Sequence, residues 1–438
     1  MGEDDESGLS EDPSRARRAK AVATLSLIVV AVACVAYLRP SAGPAPNPAA
    51  TSPGFQLDAV DFVSPSAGWV LADLDGSQFA VLATTDAGRH WTTQLVAPSM
   101  RQGEYMRFFD ARDGVVVTAG GDPVAFATRD GGATWARSEV FDVNSFAISA
   151  SFSDPQHGWV LMDAGDGVPL RATALMRTVD GGATWTRLGE TVVTLAQPFA
   201  LTFTDAQHGW LDAVAPSAVA YATSDAGDSW HAVALPSPKD GWPTPRGSYF
   251  VAIRSTLEGG LVASVVNSTH VNGRNAAGSA VLSYPPLTVK TYDGGGPVVY
   301  VYGTFADTAY AGEATSNRSG PSQQAQAPNQ VVMTSLDGGA SWRVVAPPAS
   351  GGTIGFASSV NWWWVGPGQR ATTFDAGATW SPVTAGQLSD PVPGSLVVVD
   401  DHHAWISAMR NGMPFLFTTS DAGAHWSVVA LPAPQALT

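Results

Sequence analysis

An eight-residue pattern, S/T-x-D-x-G-x-x-W, recurs seven times in this chain and narrows the accessible folds more than any other feature. It runs from Thr84 through Asp86 and Gly88 to Trp91, and from Thr128 through Asp130 and Gly132 to Trp135. It returns at Thr178 (Asp180, Gly182, Trp185), Thr223 (Asp225, Gly227, Trp230) and Ser335 (Asp337, Gly339, Trp342), then at Thr373 (Asp375, Gly377, Trp380) and Thr419 (Asp421, Gly423, Trp426). Seven copies in one frame define an internal repeat of the kind found in propellers and arrays. The residue types describe a turn. Aspartate accepts N–H bonds from the residues after it, and the Ser or Thr hydroxyl ties the same loop. Glycine takes a positive φ that a β-carbon would penalise. Tryptophan opens the next strand and covers the loop, its indole N–H available to a carbonyl. Apolar β-formers flank the copies, so the local unit is strand, tight turn, strand.

A second pattern stands upstream, from Phe62 to Gly68-Trp69, Phe152 to Gly158-Trp159 and Phe203 to Gly209-Trp210, with a worn version from Val399 to Trp405. A strand ends at the Phe, a polar turn follows and a new strand opens at the Trp. Each unit thus supplies four short strands, which predicts an all-β propeller of four-stranded blades around a channel. The aspartates recur at intervals of roughly 40 to 50 residues, as blades do. The exception is the much longer interval from Asp225 to Asp337, which holds four strand-like runs without the octapeptide. Counting that stretch as a degenerate unit gives eight blades, the expectation adopted here. Seven follow if residues 240–296 are an insertion on one blade.

The N-terminus differs from the rest. Six acids and then Arg15, Arg17, Arg18 and Lys20 precede an uninterrupted apolar run from Ala21 to Leu38. Eighteen residues at about 1.5 Å each span about 27 Å, enough for a bilayer core. With the bases before the run, the positive-inside rule puts residues 1–20 in the cytoplasm, a transmembrane signal anchor at 21–38 and everything later outside. Residues 39–54, rich in Pro and Ala, read as a linker, and 55–433 as the propeller. Cleavage after the run, or lipidation at Cys34, are the rival readings of this segment. Cys34 is the single cysteine, so the exported part holds no disulfide. The net charge of −15 excludes a nucleic-acid binder, which needs a basic face to displace counterions.

These octapeptides resemble the Asp-box, or bacterial neuraminidase repeat, of sialidases, sortilin-type receptors and some glycoside hydrolases. Their combination with the Phe-to-Gly-Trp element looks most like the photosystem II assembly and stability factor family. The resemblance implies a propeller outside the cytoplasm and, in that family, a membrane-protein partner; the strong acidity here does not match an arginine-lined docking surface, so that partner is not carried over. No cofactor and no catalytic or metal residues are expected. It says little about activity, because one fold hosts many functions. The alternative is a glycan-processing hydrolase of sialidase type, which would need an arginine cluster and a Tyr–Glu pair. Arg89, Arg129, Arg137, Arg177, Arg187 and Arg343 lie in or beside the octapeptides, and Tyr105, Tyr249 and Tyr310 are the candidate nucleophiles. The run Trp362-Trp363-Trp364 is read as core and sheet-packing aromatics, with ligand stacking on a glycan or peptide as the functional alternative. The partner expected is an unknown protein, or a glycan.

Overall fold

The computed structural model describes the backbone of residues 56–432 apart from loop segments, the longest being 237–247, 269–279 and 315–328. The tail, apolar run and linker expected at 1–20, 21–38 and 39–54 lie outside the described residues. Among the described residues, no helix is long and apolar enough to cross a membrane.

The chain forms seven four-stranded antiparallel blades. Blade one comprises Gln56–Phe62, Gly68–Asp73, Gln78–Thr84 and Thr92–Pro98; blade two, Tyr105–Phe108, Gly114–Val117, Val124–Thr128 and Ala136–Glu139. Blade three comprises Phe146–Phe152, Gly158–Asp163, Thr173–Thr178 and Thr186–Glu190; blade four, Gln197–Phe203, Gly209–Ala215, Val219–Thr223 and His231–Ala234. Blade five is made by Ser248–Ser255, Leu261–Ser268, Asn329–Ser335 and Arg343–Val345. Blade six is Thr353–Phe356, Trp362–Gly366, Gln369–Thr373 and Ser381–Val383, and blade seven Val397–Val398, Ala404–Arg410, Met413–Thr419 and Ser427–Val428. First strands lie side by side from blade one to blade five, and from blade six through blade seven to blade one. Middle strands are covered on both faces, which is why Gly68–Asp73 and Gln78–Thr84 lack polar alternation. Fourth strands form the outer edge and are largely exposed, as at Thr92–Pro98 and Ala136–Glu139.

Eight blades, the sequence expectation, is corrected to seven. In the long interval, Ser248–Ser255 and Leu261–Ser268 are the first two strands of blade five. Leu261–Ser268 then pairs with Asn329–Ser335 from Leu261↔Ser335 to Asn267↔Asn329, so the next octapeptide completes this sheet and opens no new one. Two hairpins, Ala280–Ser283 with Thr288–Thr291 and Val298–Gly303 with Ala309–Ala314, are inserted between them. The insertion therefore follows residue 268 and does not begin at 240.

Each neighbouring pair of blades shares an apolar cluster. Trp69, Leu71 and Phe79 of blade one meet Met106, Phe108 and Val116 of blade two. Trp159 and Leu175 of blade three meet Leu201, Phe203 and Leu211 of blade four. The repeated contact is a stack between the Trp opening one blade's second strand and the Phe ending the next blade's first. Trp69 lies on Phe108 at 3.6 Å and 4°, and Trp159 on Phe203 at 3.5 Å and 1°. The octapeptide Trp of the same blade meets that Phe edge-on, as in Phe108–Trp135 and Phe203–Trp230. The motif glycine makes room: a Cβ on Gly68, Gly114, Gly158 or Gly209 would fall 2.3–2.7 Å from the Phe ring of its own blade. Blade two carries the same pair, Phe108 and Gly114, which the sequence pattern missed because Val115 replaces the tryptophan. In blade seven the paired residues are Val398 and Ala404, so the worn motif begins one residue before Val399.

Among the described residues, the ring closes through side-chain packing. Blade one is wholly N-terminal and blade seven wholly C-terminal. Phe62 stacks on Trp405 at 3.7 Å and 9°, within a cluster that also holds Val60, Leu416 and Val429.

Gly158→Ala is expected to destabilise the fold by about 2 kcal/mol, since its methyl must displace the Phe152 ring from a packed interface. Ala404→Gly, where no Phe is opposed, should cost about 1 kcal/mol or less. Urea denaturation of the two variants checks the contrast.

Candidate functional site

All seven octapeptide turns have one geometry. The Ser or Thr hydroxyl donates to the first carboxylate oxygen of the aspartate at 2.7–3.0 Å. It also accepts the N–H of the motif glycine at 2.8–3.0 Å. The same aspartate oxygen accepts the N–H four residues on at 2.8–2.9 Å. The second oxygen takes the side chain there: a hydroxyl from Thr134, Thr184, Ser229, Ser341 or Thr379, and the imidazole Nδ1 of His90 or His425 in blades one and seven. These donors hold Asp86, Asp337 and Asp375 at pKa values of about 2, with the side-chain bonds from His90, Ser341 and Thr379 as the main causes.

Both the glycine and the residue before it are left-handed. Gly88 has φ 85° and Gly227 φ 93°, while Ala87, Ala226, Ala376 and Ala422 sit at 63°, 60°, 54° and 59°. The sequence reading assigned only the glycine; the available signal was that only Ala or Gly precedes it in all seven copies. The N–H of this preceding residue clasps the blade's other turn, Ala87 to Ser66 O at 2.9 Å, Gly181 to Gln156 O at 2.8 Å and Ala376 to Val360 O at 2.9 Å. In the six blades whose two turns are both described, the turns thereby form one rim. Of the octapeptide tryptophans, Trp91 donates its indole N–H to Gly88 O at 3.1 Å and Trp185 to Ser138 Oγ at 3.3 Å. The buried indole nitrogens of Trp135, Trp230, Trp342 and Trp380 have no acceptor among the described residues.

Three arginines in or beside the octapeptides, Arg129, Arg177 and Arg343, fasten this rim. Carbonyls at or just before the left-handed residue accept bonds from the preceding blade. Gln94 Nε2 donates to Gly131 O at 2.7 Å, Arg129 Nη2 to Gly181 O at 3.4 Å and Arg343 Nη2 to Ala376 O at 2.9 Å. Ala226 O takes Trp159 Nε1 at 2.9 Å and Arg177 Nη1 at 3.5 Å. Arg137 pairs with Glu139 of its own strand at 3.4 Å. None of these brings two guanidinium groups together on a shared ligand position.

The other candidates are placed as follows. Tyr105 is 3 % exposed inside the blade two–three cluster and packs on Phe152, so its hydroxyl is not offered to a substrate. The side chains of Tyr249 and Tyr310 lie outside the described residues. Trp362, Trp363 and Trp364 are all buried, which leaves them no face for ligand stacking. Trp362 and Trp364 face blade five, and Trp363 faces blade seven with the Arg370 guanidinium 3.7 Å over its ring. Arg370 is buried, which draws its pKa down to about 10 against the pull of Asp421. His157, His208 and His403 each contact the aspartate three residues earlier in their own turn.

One buried ion pair escaped the sequence reading. Asp212 of blade four is fully buried and meets Arg254 of blade five, whose Nη1 also donates to Ile253 O at 2.6 Å. Burial pushes the Asp212 carboxyl up despite Arg254 and the N–H of Ile253. Beside it, Ala213–Ala215 pair with Tyr249–Val251, joining the two blades into a continuous sheet.

Two outcomes follow. Because the aspartate pKa values are lowered, the stability these turns contribute is complete above the ordinary value of 3.8 and is lost as pH falls toward about 2. Melting temperature should be flat from neutral pH to about 5 and drop steeply below about 4, which scanning calorimetry across pH measures. Replacing Ala87, Ala226, Ala376 or Ala422 by Gly relieves a left-handed strain of about 1–2 kcal/mol per residue and loses about 0.5–1 kcal/mol of chain entropy. Each variant is expected to melt slightly higher, and a lower melting point would refute the assignment of strain.

No protein-family model and no curated protein matches the chain. Among solved structures, it is similar to YCF48 bound to D1 peptide, at 14% identity over 72% of this chain and 92% of that one, TM-score 0.30. YCF48 from Cyanidioschyzon merolae matches at 16% identity over 72% and 94%, TM-score 0.31. The GH74 xyloglucanase from Xanthomonas campestris matches at 14% identity over 86% and 73%, TM-score 0.28.

Proposed function

We propose that this chain is a single-pass membrane protein whose Asp-box propeller stands outside the cytoplasm as a non-catalytic binding or assembly scaffold. The observation that carries this reading is the employment of the polar groups a glycan hydrolase would need. Arg129, Arg177 and Arg343 hold one blade to the next through backbone carbonyls. Tyr105, one of three candidate nucleophiles, is packed into a blade interface. The octapeptides serve the turns, so recognition falls to the residues the turns expose, as is usual where loops stand on a rigid scaffold. The basic residues before 21–38, and the absence of a comparable cluster just after it, support the orientation.

Affinity capture with the full-length chain from solubilised membranes is expected to retain a protein partner in stoichiometric amount. A panel of sialosides, β-glucans and xyloglucan should show no turnover. Turnover abolished by Tyr249→Phe or Tyr310→Phe would establish the hydrolase in place of the scaffold. Mass spectrometry of the mature chain should find residues 1–20 retained; a start near Cys34 or Ser41 refutes the anchor.

A further inference from the structure

Among the described residues, six blades place two positions side by side on the turn rim: the second residue of the octapeptide, and the residue four past the Phe position of the other turn. They are adjacent because the carbonyl of the latter accepts the N–H two residues after the former, as Ser66, Arg112, Gln156, Gln207, Val360 and His402 do. In four blades both are polar: Thr85 with Ser66, Arg129 with Arg112, Ser224 with Gln207 and Ser420 with His402. Blade three has Val179 beside Gln156. Among these six described pairs, only that of blade six has two apolar residues, Phe374 and Val360, exposed at 66% and 38%. Blade five adds Leu336 at the octapeptide position, exposed at 56%. The rim is continuous between them, since Leu336 Cδ2 and Ser359 Cβ lie 3.6 and 3.3 Å from the Cβ position of Gly260. An exposed phenylalanine with two aliphatic neighbours is the composition of an interface, and isolated polar turns would not require it.

The surroundings of this patch are acidic. Leu336 and Phe374 are each followed by an exposed octapeptide aspartate, Asp337 and Asp375, and Asn361 beside Val360 donates to Asp401. The nearby guanidinium of Arg343 is turned onto the carbonyls of Asp375 and Ala376. We propose that Leu336, Val360 and Phe374 form a docking site for an apolar, basic peptide segment of a partner protein. Charge selects this occupant over the others. A second copy would bring the same carboxylates and another net charge of −15, and an anionic lipid surface would be repelled likewise. A basic segment gains from both the apolar centre and the acidic rim. The inference rests on the scaffold reading and specifies where and what that scaffold binds.

The test uses the full-length chain in nanodiscs of neutral lipid and a fluorescent dodecapeptide of alternating leucine and lysine, followed by anisotropy. The double variant Leu336→Ser/Phe374→Ser, altered only at exposed positions, is expected to keep its melting temperature and to bind the peptide roughly tenfold more weakly. Glutamate–leucine and lysine–serine peptides should bind the unaltered chain more weakly by a similar factor. Val179→Ser, the same turn position in blade three, should leave binding unchanged. Unchanged affinity in the double variant, or equal binding of the glutamate–leucine peptide, overturns the proposal. It is likewise overturned if the double variant loses self-association in sedimentation, or phosphatidylglycerol vesicle binding, and keeps the peptide. If affinity capture still retains its partner with the double variant, this surface is refuted while the scaffold reading stands.

Discussion

The ring is held by a stack of two flat rings across each of several blade boundaries, with a glycine beneath. Phe62 on Trp405, Phe108 on Trp69 and Phe203 on Trp159 lie within 3.5–3.7 Å and nearly parallel. Such a pair adds about 0.5–1.5 kcal/mol beyond its burial. Its greater effect is geometric, because the stack fixes the distance and tilt of each blade against the next. The glycine opposite each Phe is needed because the ring occupies the volume its Cβ would take. Where the Phe is absent, the interface is rebuilt. Ser255 stands at that position in blade five, and Trp210 meets Trp342 edge-on at 5.8 Å and 88°. In blade six Trp362 replaces the glycine, and Phe356 turns to meet it at 83°.

Around this apolar frame, the turn rim supplies a second set of ties. A backbone carbonyl directed outward by left-handed residues would face solvent in an isolated turn. Here it accepts from the neighbouring blade's Gln94, Arg129, Trp159, Arg177 or Arg343. The octapeptide therefore acts at two levels, closing its own hairpin through Asp and Ser or Thr and latching the adjacent hairpin through its backbone. This explains why arginines gather at the turns. It also explains where variation is free. Outside blade two, where Arg129 makes the inter-blade latch, the second octapeptide residue takes no part in either tie, so it ranges from Thr85 and Ser224 to Leu336 and Phe374.

Much of this architecture was legible in the sequence. Fold class, the four strands of an ordinary unit, and the roles of Asp and Gly in the turn all came from local chemistry repeated in frame. The blade count did not. The runs at Ala280–Ser283 and Thr288–Thr291 have the same β-forming composition as blade strands, and composition cannot tell which strand a given strand will pair with. The Phe108–Gly114 element of blade two was hidden because the motif was recognised by its tryptophan, whereas the contact that matters within the blade is Phe against Gly. The triplet Trp362-Trp363-Trp364 read as core and sheet-packing aromatics, with ligand stacking kept as an alternative because alternation puts successive residues on opposite faces. In a propeller both faces of a middle strand are covered, so all three are buried.

The sequence by itself determined the turn and the blade, since each hairpin is specified by hydrogen bonds among residues at most four apart. Tertiary structure alone decided which polar residues remain available. The Asp212–Arg254 pair joins residues of different blades, the guanidinium groups find carbonyls a blade away, and Tyr105 is buried by strands that follow it in the chain. Such contacts depend on how blades face one another, which no local pattern encodes. The same holds for Leu336, Val360 and Phe374, which become one exposed surface only because the ring sets blade five beside blade six.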